Sequence, residues 1–380
     1  MNKLYIFFPH CYIKATQSEL LIYDTILFKS VYQKNIRLTS SSIDRLNRLG
    51  CIEENDGTKQ LLQKIEKFHM GYYILYEEMT PYIPERKLRI TTSLYKEKKA
   101  LGHNLASYTN MMLTSVTLLL NNTIKAHLNT IAYMQLDYPN TNSTKIDVDK
   151  LCAQLSVFCL DKITLSGEIP YNQLERFVQW GNGRNTQVIY RIHYLAYPVQ
   201  YIQKILLTFA SLMIELIIDS NTPSDYLNIR NERLMYKYII VSTSDVDKAQ
   251  KIGKEAILFP IFTDTKTITL QPQMVLAQDE ILQSCQTLKE SYLKEYLNIS
   301  CFGHLTINHN GEIYCLDMCI GSLQNNDLSN IINKWVASPN CGWYLTRKYK
   351  DCCKECALQV LCPPISLYEQ LTIYKSPCMV

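Results

Sequence analysis

Between about residues 113 and 295, short apolar strands alternate with amphipathic helices, and this alternation constrains the fold more than any other feature. The expected strands are Ser115–Leu120, Lys162–Glu168, Gln187–Tyr194, Leu212–Ile218, Tyr236–Ser242 and Ala256–Phe262. Between them lie helical patterns at Val148–Leu155, Tyr171–Val178, Val199–Leu206 and Asp245–Ile252. Near-continuous apolar strands separated by helices signal parallel βαβ units. Right-handed crossovers would wind them into either a partial (β/α) barrel or an open doubly wound sheet. The run Ile205–Ile218 is too short to cross a bilayer and carries Glu215. It reads as the end of a helix followed by a buried strand. A long helix from about Val275 to Leu297 is expected to lead out of this region.

Residues 1–100 read as a small α+β unit. Leu4–Phe8 and Glu19–Phe28 have strand composition. Leu38–Gly50 reads as a helix opened by a serine and closed by Gly50, with Ile43, Leu46 and Leu49 on one face. Lys59–Phe68 supplies a second helix, and the basic, proline-containing stretch 81–99 reads as a linker. Residues 101–297 form the alternating region and 298–380 a cysteine-rich module. A net charge of +4 gives no basic stripe, so nucleic acid is not an expected partner. The apolar run after Met1 is too short for a signal h-region. With no spanning segment either, the expected location is cytoplasmic, away from any membrane.

The chain has fourteen cysteines, and nine of them lie from Cys301 onward. In a reducing compartment such clustering points to metal rather than disulfides. Cys353-Lys-Glu-Cys356 can ligate from one tight turn, and Cys362 follows after five residues. With a distant fourth ligand these make a four-thiolate site for zinc or an iron–sulfur cluster. Cys352 is a spare ligand. Upstream, Cys301 and Cys315 flank an Asn310-Gly311 pair that reads as the type I′ turn of a hairpin. Such a hairpin brings the two thiols together at its open end. His304 lies close to Cys301 and reads as a surface or supporting histidine rather than a ligand. Cys11, Cys51, Cys152 and Cys159 sit on apolar patterns and read as core residues, while Cys285 lies on the long helix without a clear partner.

These residues resemble the SPASM domain of radical SAM peptide-modifying enzymes. Cys301, Gly311 and Cys315 are similar to its opening hairpin, with Gly-x3-Cys in place of Gly-x4-Cys. Cys353, Cys356 and Cys362 match its x2 and x5 spacings, Ser366 occupies the place of the next cysteine, and Cys378 stands for the last. The resemblance implies one [4Fe–4S] cluster on Cys353, Cys356, Cys362 and Cys378. A second site on Cys301 and Cys315 is broken at Ser366, with Cys319 or Cys341 as substitutes. Ser166-Gly-Glu-Ile-Pro170 resembles a decayed copy of the strand end that contacts SAM in these barrels. No Cys-x3-Cys-x2-Cys triplet occurs anywhere, and no cysteine separates Leu120 from Cys152. Cleavage of SAM is therefore not expected.

The whole is similar to the pseudo-radical SAM/SPASM proteins of Bacteroidales Gly-Gly-leader peptide systems. That likeness implies a radical-SAM-like partial barrel and a non-catalytic role in ribosomal peptide maturation. The implied partners are a precursor peptide, an active radical SAM maturase, or both. Two rivals remain at this stage: a redox protein that uses the cluster for electron transfer or peptide modification, and an interaction protein stabilised by zinc.

Overall fold

The computed structural model describes residues 3–55, 57–75, 110–124, 130–141, 146–252, 256–261, 276–324 and 326–371. The expected linker 81–99, His103, Val275 and Cys378 lie outside them.

The N-terminal unit consists of strands β1 (Lys3–Phe7), β2 (Cys11–Ala15), β3 (Glu19–Asp24) and β4 (Lys29–Lys34), helix α1 (Ser40–Leu49), β5 (Cys51–Glu53), α2 (Lys59–Glu66) and β6 (Gly71–Leu75). They form two antiparallel three-stranded sheets, ordered β5-β1-β6 and β2-β3-β4. Helix α1 begins at Ser40, as expected, and is capped by Thr39, whose hydroxyl accepts the Ser42 N–H. Gly50 ends it in the left-handed region at φ 64°, as a glycine C-cap should.

The middle region follows as β7 (Ser115–Leu119), α3 (Thr130–Gln135), α4 (Val148–Leu155), β8 (Lys162–Ser166), α5 (Tyr171–Asn182), β9 (Gln187–His193), α6 (Val199–Thr208), β10 (Met213–Ile218), α7 (Ser224–Leu227), β11 (Leu234–Ile240), α8 (Thr243–Ile252) and β12 (Ala256–Pro260). All six expected strands form, and neighbours pair in parallel. Their order is monotonic, β12-β11-β10-β9-β8-β7. A doubly wound sheet would reverse direction midway, so the sheet is singly wound.

The expected long helix is instead two, α9 (Gln278–Leu282) and α10 (Leu288–Tyr296). Thr287 and Glu290 form a capping box that restarts the helix. The intervening Gln286 is drawn away by Tyr23 and by the Leu361 carbonyl.

The chain then adds β13 (His304–Ile307), β14 (Glu312–Cys315) and β15 (Met318–Ser322), followed by α11 (Leu328–Val336) and α12 (Leu367–Leu371). β13 pairs in parallel with β7, and β14 and β15 continue antiparallel, making nine strands in one sheet. The β13–β14 connection is not the expected type I′ turn. Only Gly311 has positive φ (82°), because the Asn308 carboxamide accepts from both Asn310 N and Glu312 N. Asn308 therefore imposes a three-residue loop closed on a left-handed glycine.

The β2–β4 sheet packs on the cysteine-rich module. Tyr12, Leu21 and Tyr23 share a core with Ile281, Tyr292, Leu358, Val360 and Leu361. Polar contacts reinforce this seam. Tyr12 donates to Glu295 at 2.6 Å, and Glu19 accepts from Ala357 N at 2.8 Å. No helix among the described residues is long and apolar enough to cross a membrane.

Candidate functional site

Three features are built by this fold: a cysteine group beside Arg347, a second buried cysteine group under the hairpin, and a polar sheet face overlaid by the chain's own segment.

The first group comes from tight turns. Cys353 N bonds Lys350 O, Cys356 N bonds Cys353 O, and Cys362 N bonds Leu358 O. Cys353 and Cys362 are buried and Cys356 is half-buried. Arg347 lies beside Cys353, its Nη1 3.9 Å from the Cys353 Sγ. Glu369 holds the guanidinium at 2.9 and 3.2 Å, and the carbonyls of Pro363 and Pro364 accept from it as well. Lys294 donates to Cys362 O at 3.2 Å. Burial pushes the Lys294 ammonium down to about 8 against the opposing pull of the Cys362 thiol. The Cys353 thiol is pushed up to about 11 by burial and by Cys352, with Arg347 opposing.

Arg347 beside Cys353 and Lys294 beside Cys362 suit thiols that become anionic on binding metal. One tetrahedral zinc with Zn–S bonds near 2.3 Å holds its thiolates roughly 3.8 Å apart. Among the described residues, no three cysteine sulfurs lie mutually within 4.8 Å. A four-iron cluster binds each thiolate to a different iron and so needs a wider set. Cys353, Cys356 and Cys362 are therefore not closed up as a one-ion site. Cys352 is exposed, its Sγ 3.6 Å from that of Cys353.

Of the second set, Cys301, Cys315 and Cys341 are buried together and Cys319 is exposed on β15. The Cys301 Sγ reaches the carbonyls of Asn298 and Gly342 at 3.7 and 3.6 Å. A hydrogen bond with Cys301, then burial, raises the Cys315 thiol well above its ordinary range, and burial pushes Cys341 up to about 12. Trp343 and Trp335 pack nearby as an edge-to-face pair. Burial in this apolar pocket disfavours the thiolate form of Cys315 and Cys341. Ser366 does not join them; its hydroxyl accepts from Glu369 N at the start of α12. Cys11 and Cys51 are buried as expected and Cys152 is half-buried, whereas Cys159 is exposed because the chain leaves α4 for a surface turn before β8.

The third feature was hidden in strands that look uniformly apolar. In register, one face carries Leu118, Leu165, Tyr190, Ile214 and Leu234, and the helices cover it. The other carries Thr117, Thr164, Ser166, Arg191, His193, Glu215 and Lys237. The signal that could have found it is the period-two placement of these polar residues. Arg191 Nε donates to Glu215 at 2.6 Å and Lys237 Nζ at 3.0 Å. His304 is half-buried and bonds Ser115 at 2.9 Å.

A strap formed by α3 and the residues to Thr141 lies on this face. Arg191 donates to the carbonyls of Leu136 and Asp137, Ser166 to that of Asp137, and Asn122 to that of Pro139. Ala132, Leu136 and Tyr138 pack on Ile217, Ile239 and Ile261. Glu168 is occupied by Thr123, accepting from its N–H at 2.8 Å and its hydroxyl at 2.6 Å. Gly167 has φ +101°, and a Cβ there would collide with the Asn121 carbonyl and the Pro139 ring. Gly167→Ala is therefore expected to loosen the strap and cost about 1–3 kcal/mol, read as a lowered urea midpoint with the slope unchanged. Beside the strap, a cleft of about 290 Å³ opens between Leu119, Tyr138, Asn308, His309 and Tyr314.

Burial alone would raise the Glu215 carboxyl, but Arg191 and then Lys237 outweigh it, so its pKa lies below the ordinary value. Its unfolded value is about 4.3. The stability it contributes is thus full above that pH and is lost as pH falls through the lower folded value. Glu215→Gln should flatten the acid limb of a stability–pH profile, with little change in its shape between pH 6 and 8.

No family model and no curated protein matches this chain. Among solved structures it is similar to SuiB from Streptococcus suis bound to precursor peptide SuiA, with 10% identity, a TM-score of 0.43, and 98% of each chain covered. For SuiB bound to S-adenosylmethionine the values are 11% and 0.41, covering 99% of this chain and 98% of that one. For BtrN in an open conformation they are 14% and 0.33, covering 64% and 92%. Likeness at this level does not assign a function to the chain.

Proposed function

We propose that this protein is a non-catalytic, pseudo-radical SAM partner in the maturation of a ribosomally made peptide. It holds one SPASM-type [4Fe–4S] cluster on Cys353, Cys356, Cys362 and Cys378. One observation carries the reading: Cys353 lies 3.9 Å from Arg347 with Cys356 and Cys362 in the turns that follow it, while no cysteine follows β7 before Cys152 and the described stretch from α3 to Thr141 lies on the polar sheet face. The singly wound strands would form a partial barrel whose inner face is that polar surface. The strap covers a substantial part of it.

When bound, the cluster would supply folding free energy to the C-terminal module. Arg347 and Lys294 would offset its thiolate charge, and the β2–β4 sheet would seal its outer side. A precursor peptide would add as a strand to an exposed sheet edge of the N-terminal unit, where β6 is an edge strand. The active maturase would be the second partner.

The test is an anaerobic assay of the reconstituted full chain with SAM and a strong reductant, followed by co-purification with a cysteine-complete radical SAM maturase and its precursor. The expected outcome is no 5′-deoxyadenosine above the buffer control, and retention of maturase or precursor on the tagged chain. Formation of 5′-deoxyadenosine by the chain alone would refute the non-catalytic role. Failure to retain either partner would refute the partner role.

A further inference from the structure

We propose that His10, Cys11 and Asp24 form a divalent transition-metal site, of the zinc class, on the N-terminal unit and separate from the C-terminal cysteines. The imidazole nitrogen, the thiol sulfur and a carboxylate oxygen all lie within 4.8 Å of one another. The backbone brings them together. Cys11 and Asp24 are directly opposed in the β2–β3 ladder, so their side chains share one face. His10 is fixed one residue earlier, because Thr25 donates to its carbonyl from both hydroxyl (2.7 Å) and amide (3.4 Å).

The surroundings orient the donors. Asp24 Oδ1 accepts the N–H groups of Ile26 and Leu27 at 2.9 Å each. That leaves Oδ2 turned to His10 Nε2, 3.4 Å away. Phe8 stacks on the imidazole at 5.6 Å between ring centres. Such supporting contacts are what orient metal ligands. Cys11 and Asp24 are each 1% exposed, while the His10 side chain is 32% exposed. A cation can therefore enter from the histidine side and keep a water as its fourth ligand. One thiolate, one carboxylate and one neutral imidazole bring the charge of a bound dication to zero, which suits a buried position. The Cys11 thiol donates to Met70 O at 3.5 Å, and its proton would leave on binding. A mixed nitrogen, sulfur and oxygen set with one open position suits zinc rather than calcium or magnesium.

The experiment uses the full chain, freed of adventitious metal and then reconstituted with iron and sulfide. Zn²⁺ is titrated into it and into His10→Ala, followed by metal analysis after gel filtration. Co²⁺ is titrated into the same proteins and into Cys11→Ser. Wild type should bind one zinc that His10→Ala binds more than about 100-fold less tightly, since losing a direct ligand costs more than the roughly 10–100-fold typical of an outer-shell partner. Co²⁺ should give a thiolate charge-transfer band that Cys11→Ser abolishes. His10→Ala should keep its iron content and its metal-free unfolding midpoint, which separates this site from the cluster. Equal zinc affinity in wild type and His10→Ala would overturn the assignment. So would a thiolate–Co²⁺ band that survives in Cys11→Ser, or the absence of zinc uptake by wild type.

Discussion

Cys353→Ala should release the iron and sulfide of the reconstituted protein and unfold the C-terminal module; Cys356→Ala and Cys362→Ala should behave alike. In small thiolate sites metal-binding free energy is folding free energy, on the order of 10–16 kcal/mol for structural zinc peptides. The segment around these thiols has little regular structure to replace it, being built of short 3-10 turns at Gly342–Tyr344, Arg347–Tyr349 and Ala357–Val360. The damage should spread, because Leu358, Val360 and Leu361 share a core with Tyr12, Leu21 and Tyr23. Limited proteolysis should therefore open the seam between the β2–β4 sheet and the module as iron is lost. Cys152→Ala should keep its full iron content, since Cys152 sits on α4 packed against the central sheet's core. Loss of iron there would show that the ligands are misassigned.

Glu369→Ala should cost about 3–5 kcal/mol, the usual result of leaving a buried charge without its partner. Arg347 and Glu369 are 4% and 7% exposed, and Lys350 also bonds Glu369 at 3.0 Å. Without Glu369 the guanidinium would lose its carboxylate while still facing Cys353 and the Pro363 and Pro364 carbonyls. The check is a denaturant titration of the reconstituted protein with iron content followed in parallel, so that unfolding is read where the cluster is still bound. Arg347→Met combined with Glu369→Leu should recover part of the loss, because a buried pair replaced by apolar groups is often close to neutral. A double variant as unstable as the sum of the two single changes would show that the pair is not coupled.

The strands of the central sheet were legible because β-branched and aromatic runs such as Lys162–Ser166 and Gln187–His193 stand between helices opened by prolines, as Pro170 and Pro198 open α5 and α6. The break at Gln283–Thr287 was also written in the chain. Thr287-Leu-Lys-Glu290 is a capping-box pattern, but the apolar spacing on either side suggests one continuous helix. Asn310-Gly311 misled for a local reason, since Asn308 competes for the same backbone groups. The choice between Cys319 and Cys341 depends on which side of β15 faces out and on where the chain returns after α11. Spacing encodes neither. Nor could spacing reveal His10 beside Asp24, because that contact exists only once β2 and β3 pair. The polar sheet face was readable in principle from Thr164, Ser166, Arg191 and Glu215, but the strong hydrophobicity of the alternate positions obscures it.

The most direct measurement is iron, acid-labile sulfide and zinc per chain in the full-length protein purified and reconstituted without oxygen. The set Cys353, Cys356, Cys362 and Cys378 predicts about four irons and about four sulfides per chain, as one [4Fe–4S] cluster requires. One zinc with no sulfide would contradict the account.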